Sequence, residues 1–196
     1  LLGVKHTGKP RNGKAFVAKE DFNGPKELDW RDKGVVSEIK NQGFCGSCWA
    51  FSVIAAQEAQ WAIQHSDLFT LSPSNMIDCC YSCMGCNGCY TFTALDDIIE
   101  YQGGSFMKEV DYPYVERKDD CRFDVSKAVA RVKSYEIVDM GNENDLLQAV
   151  NQGVVSVCID ASLQSFQLYK TGIYDDELCS IWGVDHAVAC VGYGVS

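Results

Sequence analysis

The sequence predicts an α+β protein of two lobes, one mainly helical and one built mostly from strands. Three observations predict it. Helical patterns crowd the first half of the chain, while Val- and Ile-rich runs with partial alternation crowd the second. Elements segregated in this way favour α+β over a repeating α/β pattern. The length of 196 residues supports one sizeable core or two small lobes, and 46% hydrophobic with 22% charged residues is a globular balance.

Residues 1–24 lack periodicity and carry Gly3, Gly8, Pro10, Gly13 and Gly24, so they read as an extended tail or linker. The globular pattern begins near Pro25–Trp30. CWAFSVIAAQEAQWAIQ, from Cys48 to about Gln64, predicts a helix that is apolar almost all round, as suits a buried one, with Ser47 at the N-cap. LSPSNMIDCC predicts a short helix with Ser72 as cap and Pro73 at the first helical position. TFTALDDIIEYQGG predicts a third, closed by Gly103. KAVARVKSYEIVDM, VVSVCID and HAVACVGYG predict strands, and NENDLLQAVNQG predicts a helix between the first two, capped by Asn142 and stopped by Gly153.

Composition narrows the function. A formal net charge of −10 without a basic stretch argues against a nucleic-acid role. No run of about eighteen apolar residues exists, so no membrane-spanning helix is expected. Eleven cysteines favour an oxidising compartment and a disulfide framework, and the odd count leaves at least one thiol unpaired within the chain. The opening LLGVKHTGKPRNGKAF has no signal-peptide pattern, which suggests that residue 1 is not the true start.

The chemistry concentrates in NQGFCGSCWAFS, residues 41–52, where Cys45 and Cys48 stand three apart. A nucleophilic thiol must be a thiolate, and a helix N-terminus favours negative charge. Cys48 starts the predicted helix and Cys45 precedes it in a Gly-rich turn, so position nominates Cys48. A thiolate also needs an imidazole partner. His6 lies in the tail. His65 ends the helix that Cys48 begins, roughly 25 Å away at 1.5 Å per residue. His186, beside Asp185 at the start of a predicted strand, remains. A redox Cys-x-x-Cys is disfavoured, because no strand of a βαβ unit precedes the motif.

Cys45-Gly46-Ser47-Cys48-Trp49, with a histidine about 130–150 residues later, resembles the signature of papain-like cysteine proteases. LDWRDKGVV, DCC…GCNG, YPY and GIYDDELC…VDHAVACVGYG are similar to further landmarks of its cathepsin L-like branch. FSVIAAQEAQWAI and SFQLYKTGIYD are similar to parasitic protozoan, trichomonad-like members. The resemblance implies a papain-like two-lobe fold: a helical lobe over 25–105, an antiparallel β lobe over 106–196, an active-site cleft between them, and residues 1–24 as the end of a propeptide processed near Asn23–Lys26. It implies a cysteine endopeptidase in which Cys48 is the nucleophile, His186 the acid/base, and Gln42 an oxyanion donor with the Cys48 N–H. Asp185 resembles the residue preceding the catalytic histidine.

The resemblance pairs Cys45 with Cys86 and Cys79 with Cys121. It places the backbone of Gly88 and Cys89 along the substrate, and Tyr90, Thr91, Cys158, Val184 and Ala187 around an apolar pocket. It implies no metal or cofactor, protein or peptide substrates, cystatin-like or propeptide inhibitors, a monomer, and a lysosomal, vacuolar or secreted location.

Departures from the family pattern bear on these expectations. The family's catalytic Asn, in an Asn-Ser-Trp-Gly segment, does not follow His186 here, so the sequence reads as C-terminally truncated and Cys179 is expected to be unpaired. Cys89 replaces the usual glycine, which is expected to put a side chain at the cleft. Cys158 and Cys190 are expected to be buried thiols. Cys83 has three possible states: paired with Cys80, paired with Cys89, or free. Two alternatives follow: a family member without protease activity, and a metal protein using Cys80, Cys83, Cys86 and Cys89. That run is similar to an iron–sulfur or zinc site but has Tyr90 and the wrong last spacing.

Overall fold

The computed structural model describes Pro10, residues 12–180 and residues 182–195. His6 lies outside the described residues. In chain order the elements are β1 (Gly13–Ala15), β2 (Leu28–Asp29), α1 (Cys48–His65), α2 (Pro73–Cys79), α3 (Thr91–Gln102), β3 (Ser105–Met107), β4 (Ala128–Arg131), β5 (Tyr135–Ile137), α4 (Glu143–Gln152), β6 (Val155–Ile159), α5 (Gln164–Gln167), β7 (His186–Cys190) and β8 (Gly192–Tyr193).

The helix ends follow local chemistry. Ser72 Oγ accepts the Asn75 N–H at 2.9 Å and Pro73 opens α2, the donor-free residue sitting where an N–H has no helical partner. Gly103 closes α3 at φ 60°, a conformation that disfavours side chains. Asn142 Oδ1 accepts the Asp145 N–H at 3.1 Å at the start of α4. Ser47 departs from expectation. It precedes α1 but does not cap it, because its hydroxyl is engaged with the Cys45 carbonyl at 3.3 Å and the Tyr114 hydroxyl at 2.9 Å.

The main core lies where α1, α2 and α3 meet β3 and β4. Trp49, Ile54, Leu71, Met76, Ile77, Ile98 and Phe106 are all fully buried there. Each such side chain contributes about 1.5–3 kcal/mol when removed from water. α1 also buries Glu58, which is tolerable because three donors meet its carboxylate: Lys40 Nζ, Ser37 Oγ at 2.6 Å and the Leu71 N–H at 2.6 Å.

Among the described residues the strands form four two-stranded ladders. β6 and β7 pair antiparallel from Val155↔Cys190 to Ile159↔His186, and this ladder packs on α1. KAVARVKSYEIVDM forms two strands rather than one. β4 pairs with β3, the Val132 N–H then donates to the Gly104 carbonyl, and β5 turns to a different partner. HAVACVGYG likewise breaks at Val191, whose carbonyl accepts the Trp30 N–H, and β8 pairs with β2.

Part of the expected extended tail or linker is docked. β1 runs parallel to β5, Asn12 donates through its backbone and side chain to Asp96 Oδ1, and Gln148 bonds both the N–H and the carbonyl of Lys19. The docking is largely through backbone groups, so it needs no hydrophobic period and leaves none in the sequence.

Candidate active site

Cys48 is the first residue of α1 and is only 1% exposed. The turn before it is fixed from outside. Cys45 is disulfide-bonded to Cys86, the Gly46 N–H donates to the Cys86 carbonyl at 2.9 Å, and Trp49 Nε1 donates to the Gly85 carbonyl at 3.2 Å. The loop holding Cys86 is therefore laced to the turn that aims Cys48. The second disulfide, Cys79–Cys121, ties the end of α2 to the segment before β4.

Gln42 is half-buried, and its Nε2 donates to the Cys45 carbonyl at 2.9 Å. The Gln42 carbonyl accepts from the Tyr114 hydroxyl at 2.6 Å, and the same hydroxyl meets Ser47. Tyr114 thus braces both ends of the turn, a role that no local pattern in YPY announces.

β7 brings His186 to α1. Ser52, one turn along from Cys48, donates to the Val188 carbonyl at 2.7 Å and meets Ser156 Oγ at 2.6 Å. Stepping back one turn along α1 from Ser52 reaches Cys48; stepping back two residues along β7 from Val188 reaches His186. Each step covers about 6 Å. Cys158 is the ladder partner of Ala187, the residue after His186. Burial, and then charge on Cys48, push the Cys158 thiol up to about 11.

His186 is half-buried, and its Nδ1 is buried with no hydrogen-bond partner among the described residues. Burial holds its pKa below the ordinary histidine value, while the Asp185 charge opposes that shift. Asp185 itself accepts the Ala161 N–H at 2.9 Å and shapes the loop after β6. His65 takes no part here: it stacks on Trp61 with ring centres 3.8 Å apart.

Of the expected pocket residues, Tyr90, Thr91, Cys158 and Val184 line one cavity of 1510 Å³, which continues along Gln57, Gln60 and Trp61 of α1. Gly88 has φ 107°, a value that favours glycine. Ala187 is buried in β7, and Asp185 and Gly88 lie outside the cavity lining. Cys89 departs from expectation. Its side chain does not stand at the cleft; it is fully buried, with its sulfur turned inward against Cys83. Cys83 stands at bonding contact with both Cys80 and Cys89, and since one sulfur forms one disulfide, at most one of those bonds exists at a time. Cys158 and Cys190 are half-buried rather than buried, each near a strand end or edge, and Cys179 is exposed and unpaired.

A cysteine at a helix N-terminus, a histidine on the ladder packed against that helix and an amide in the turn before it are the groups that a thiol–imidazole site uses. Residues 24–196 match the family described as papain family cysteine protease, and the chain belongs to that family. It is 44% identical over 184 residues to cathepsin K of Mus musculus, covering 93% of this chain and 55% of the relative. It is 45% identical over 191 residues to cathepsin S of Bos taurus, covering 94% and 56%. The chain thus spans about half the length of these curated relatives. Among solved structures, digestive procathepsin L 3 of Tenebrio molitor larval midgut superposes with TM-score 0.87 at 38% identity, covering 97% of this chain and 62% of that one. The bromelain protease of Ananas comosus, in complex with the E64 inhibitor, superposes with TM-score 0.79 at 33% identity, covering 88% and 78%. The fold is the papain-like α+β fold.

Proposed function

We propose that the protein is a cysteine endopeptidase in which Cys48, His186 and Gln42 carry the reaction. The observation that carries this reading is the position of Cys48 at the N-terminus of α1, beside the β6–β7 ladder that begins with His186. The Cys48 thiolate attacks the peptide carbonyl. The Cys48 N–H and the Gln42 side-chain amide receive the developing oxyanion. Protonated His186 gives its proton to the leaving amine, and neutral His186 then takes one from the water that cleaves the acyl-enzyme. Burial of the imidazole favours its neutral form, the form that the second step needs.

Substrates in this reading are proteins or peptides, bound along Gly88 and Cys89 by their backbone, with an apolar side chain directed at Tyr90, Thr91, Cys158, Val184 and Ala187. The helical lobe comprises residues 25–105 and the β-rich lobe 106–196. Residues 1–24 belong to a propeptide, which is consistent with a family match that begins at residue 24. Inhibition by a propeptide or a cystatin-like protein and action as a monomer belong to the same reading. Two disulfides accord with a lysosomal, vacuolar or secreted location. The test is turnover of a fluorogenic peptide with an apolar residue before the P1 position, under reducing conditions. Turnover abolished by Cys48→Ala supports the assignment, and turnover surviving it rejects the assignment.

A further inference from the structure

The side chains of Cys80, Cys83 and Cys89 have no part in the proposed reaction, yet the fold brings their sulfurs within 4.8 Å of one another. Cys80 and Cys89 are fully buried and Cys83 nearly so, at 6% exposure. Their convergence is built by the loop from Cys80 to Tyr90. Cys86, within that loop, is held by Cys45 and is therefore excluded from the group. A buried carboxylate attends the cluster. Asp97 of α3 is fully buried, takes the Ser82 N–H at 2.6 Å and the Ser82 hydroxyl at 2.9 Å, and lies 3.5 Å from Cys80 Sγ.

A disulfide joins two of these sulfurs and leaves the third a buried thiol. A single soft cation satisfies all three. Thiolates are the preferred donors for such ions, and three converging thiolates suit a trigonal or a capped tetrahedral site. The negative charge of three buried thiolates would be prohibitive without a cation among them.

We propose that Cys80, Cys83 and Cys89 form a structural site for one thiophilic metal ion of the Zn²⁺ or Cu⁺ class, with Asp97 as a positioning residue. Binding releases three thiol protons to solvent and forms three metal–sulfur bonds, with no change in the oxidation state of sulfur. Asp97 fixes the loop through its two hydrogen bonds from Ser82. The bound ion joins the start of the loop to Cys89, the residue between Gly88 and Tyr90, and so holds that segment from its inner side. The site stands independently of the proteolytic reading.

The probe is Cd²⁺ added to the full chain with these thiols reduced, in a Cys48→Ser, Cys158→Ser, Cys179→Ser, Cys190→Ser background that removes the four other free thiols. The expected result is one Cd²⁺ per chain, a thiolate-to-metal absorption band, and a ¹¹³Cd resonance at the strongly deshielded position of three-sulfur coordination. Cys83→Ser should weaken binding at least about 100-fold, and Asp97→Asn about 10–100-fold with the resonance unmoved. Acidification should release the ion, because the ligands must be deprotonated to bind. The resonance of the chain with all three cysteines reads the donor set directly, so the test survives a variant that fails to fold. Equal Cd²⁺ affinity in Cys83→Ser would overturn the proposal. So would a reduced chain that binds no Cd²⁺ and whose Cys83 returns, on reoxidation, to a disulfide with Cys80 or Cys89.

Discussion

The Ser52 hydroxyl donates to the Val188 carbonyl at 2.7 Å and so bolts α1 to β7, one helical turn from Cys48 and two residues from His186. The Ser156 hydroxyl completes the junction at 2.6 Å, donating to Ser52 because Ser52's own proton is committed. Replacing Ser52 with Ala leaves a buried carbonyl and a hydroxyl without this partner. The expected loss is about 1–3 kcal/mol of stability, together with a fall in kcat from a loosened Cys48–His186 approach. Denaturant unfolding and steady-state kinetics of Ser52→Ala read the two effects separately.

Gln42 is expected to act on the transition state rather than on substrate binding. Gln42→Ala should lower kcat by about 10²–10³ with little change in KM. A loss confined to KM would mean that Gln42 only supports the turn through the Cys45 carbonyl.

The two disulfides should differ in what they protect. Each closes a loop with a sequence separation of 41 or 42. Removing either should therefore cost roughly 3–4 kcal/mol on a chain-entropy account. Only Cys45–Cys86 braces the turn carrying Gln42 and Cys48. The Cys45→Ser, Cys86→Ser pair should thus lose more activity than Cys79→Ser, Cys121→Ser at equal fractions folded.

The pH dependence follows from His186. Its folded pKa lies below the ordinary histidine value, so below about pH 6.5 the unfolded chain binds a proton that the folded chain resists. Unfolding is therefore favoured as pH falls through that value toward the folded pKa. His186→Gln should flatten this part of the stability–pH curve. An unchanged curve would show that the imidazole is not desolvated as described.

The sequence disclosed the fold where local chemistry was self-sufficient. Ser72–Pro73, Asn142 and Gly103 each specify a helix end by their own side chain or conformation, and the structure ends helices there. It disclosed less where a partner far along the chain decides. The docking of residues 13–15 on β5, the handover of β8 to β2 and the diversion of the Ser47 hydroxyl to Tyr114 depend on long-range neighbours that leave no periodic mark. The site divides in the same way. Cys48 is legible from its helix start, and His186 by elimination among three histidines. The pairings Cys45–Cys86 and Cys79–Cys121 came from family resemblance, since spacing alone leaves many connectivities open. The inward turn of Cys89 was not legible, because its direction is set by Cys80 and Cys83 rather than by the residues beside it.

The central claim is that Cys48 is the reactive thiol and that His186 makes it so. The most direct measurement is the rate of iodoacetamide modification of each free cysteine at pH 6, mapped by peptide mass analysis in the unmodified chain and in His186→Gln. The account predicts that Cys48 is modified first, ahead of the exposed Cys179 and far ahead of Cys158, whose thiol is pushed up to about 11, and that this lead disappears in His186→Gln. If Cys179 is modified before Cys48, or the Cys48 rate is unchanged without the imidazole, the account is contradicted.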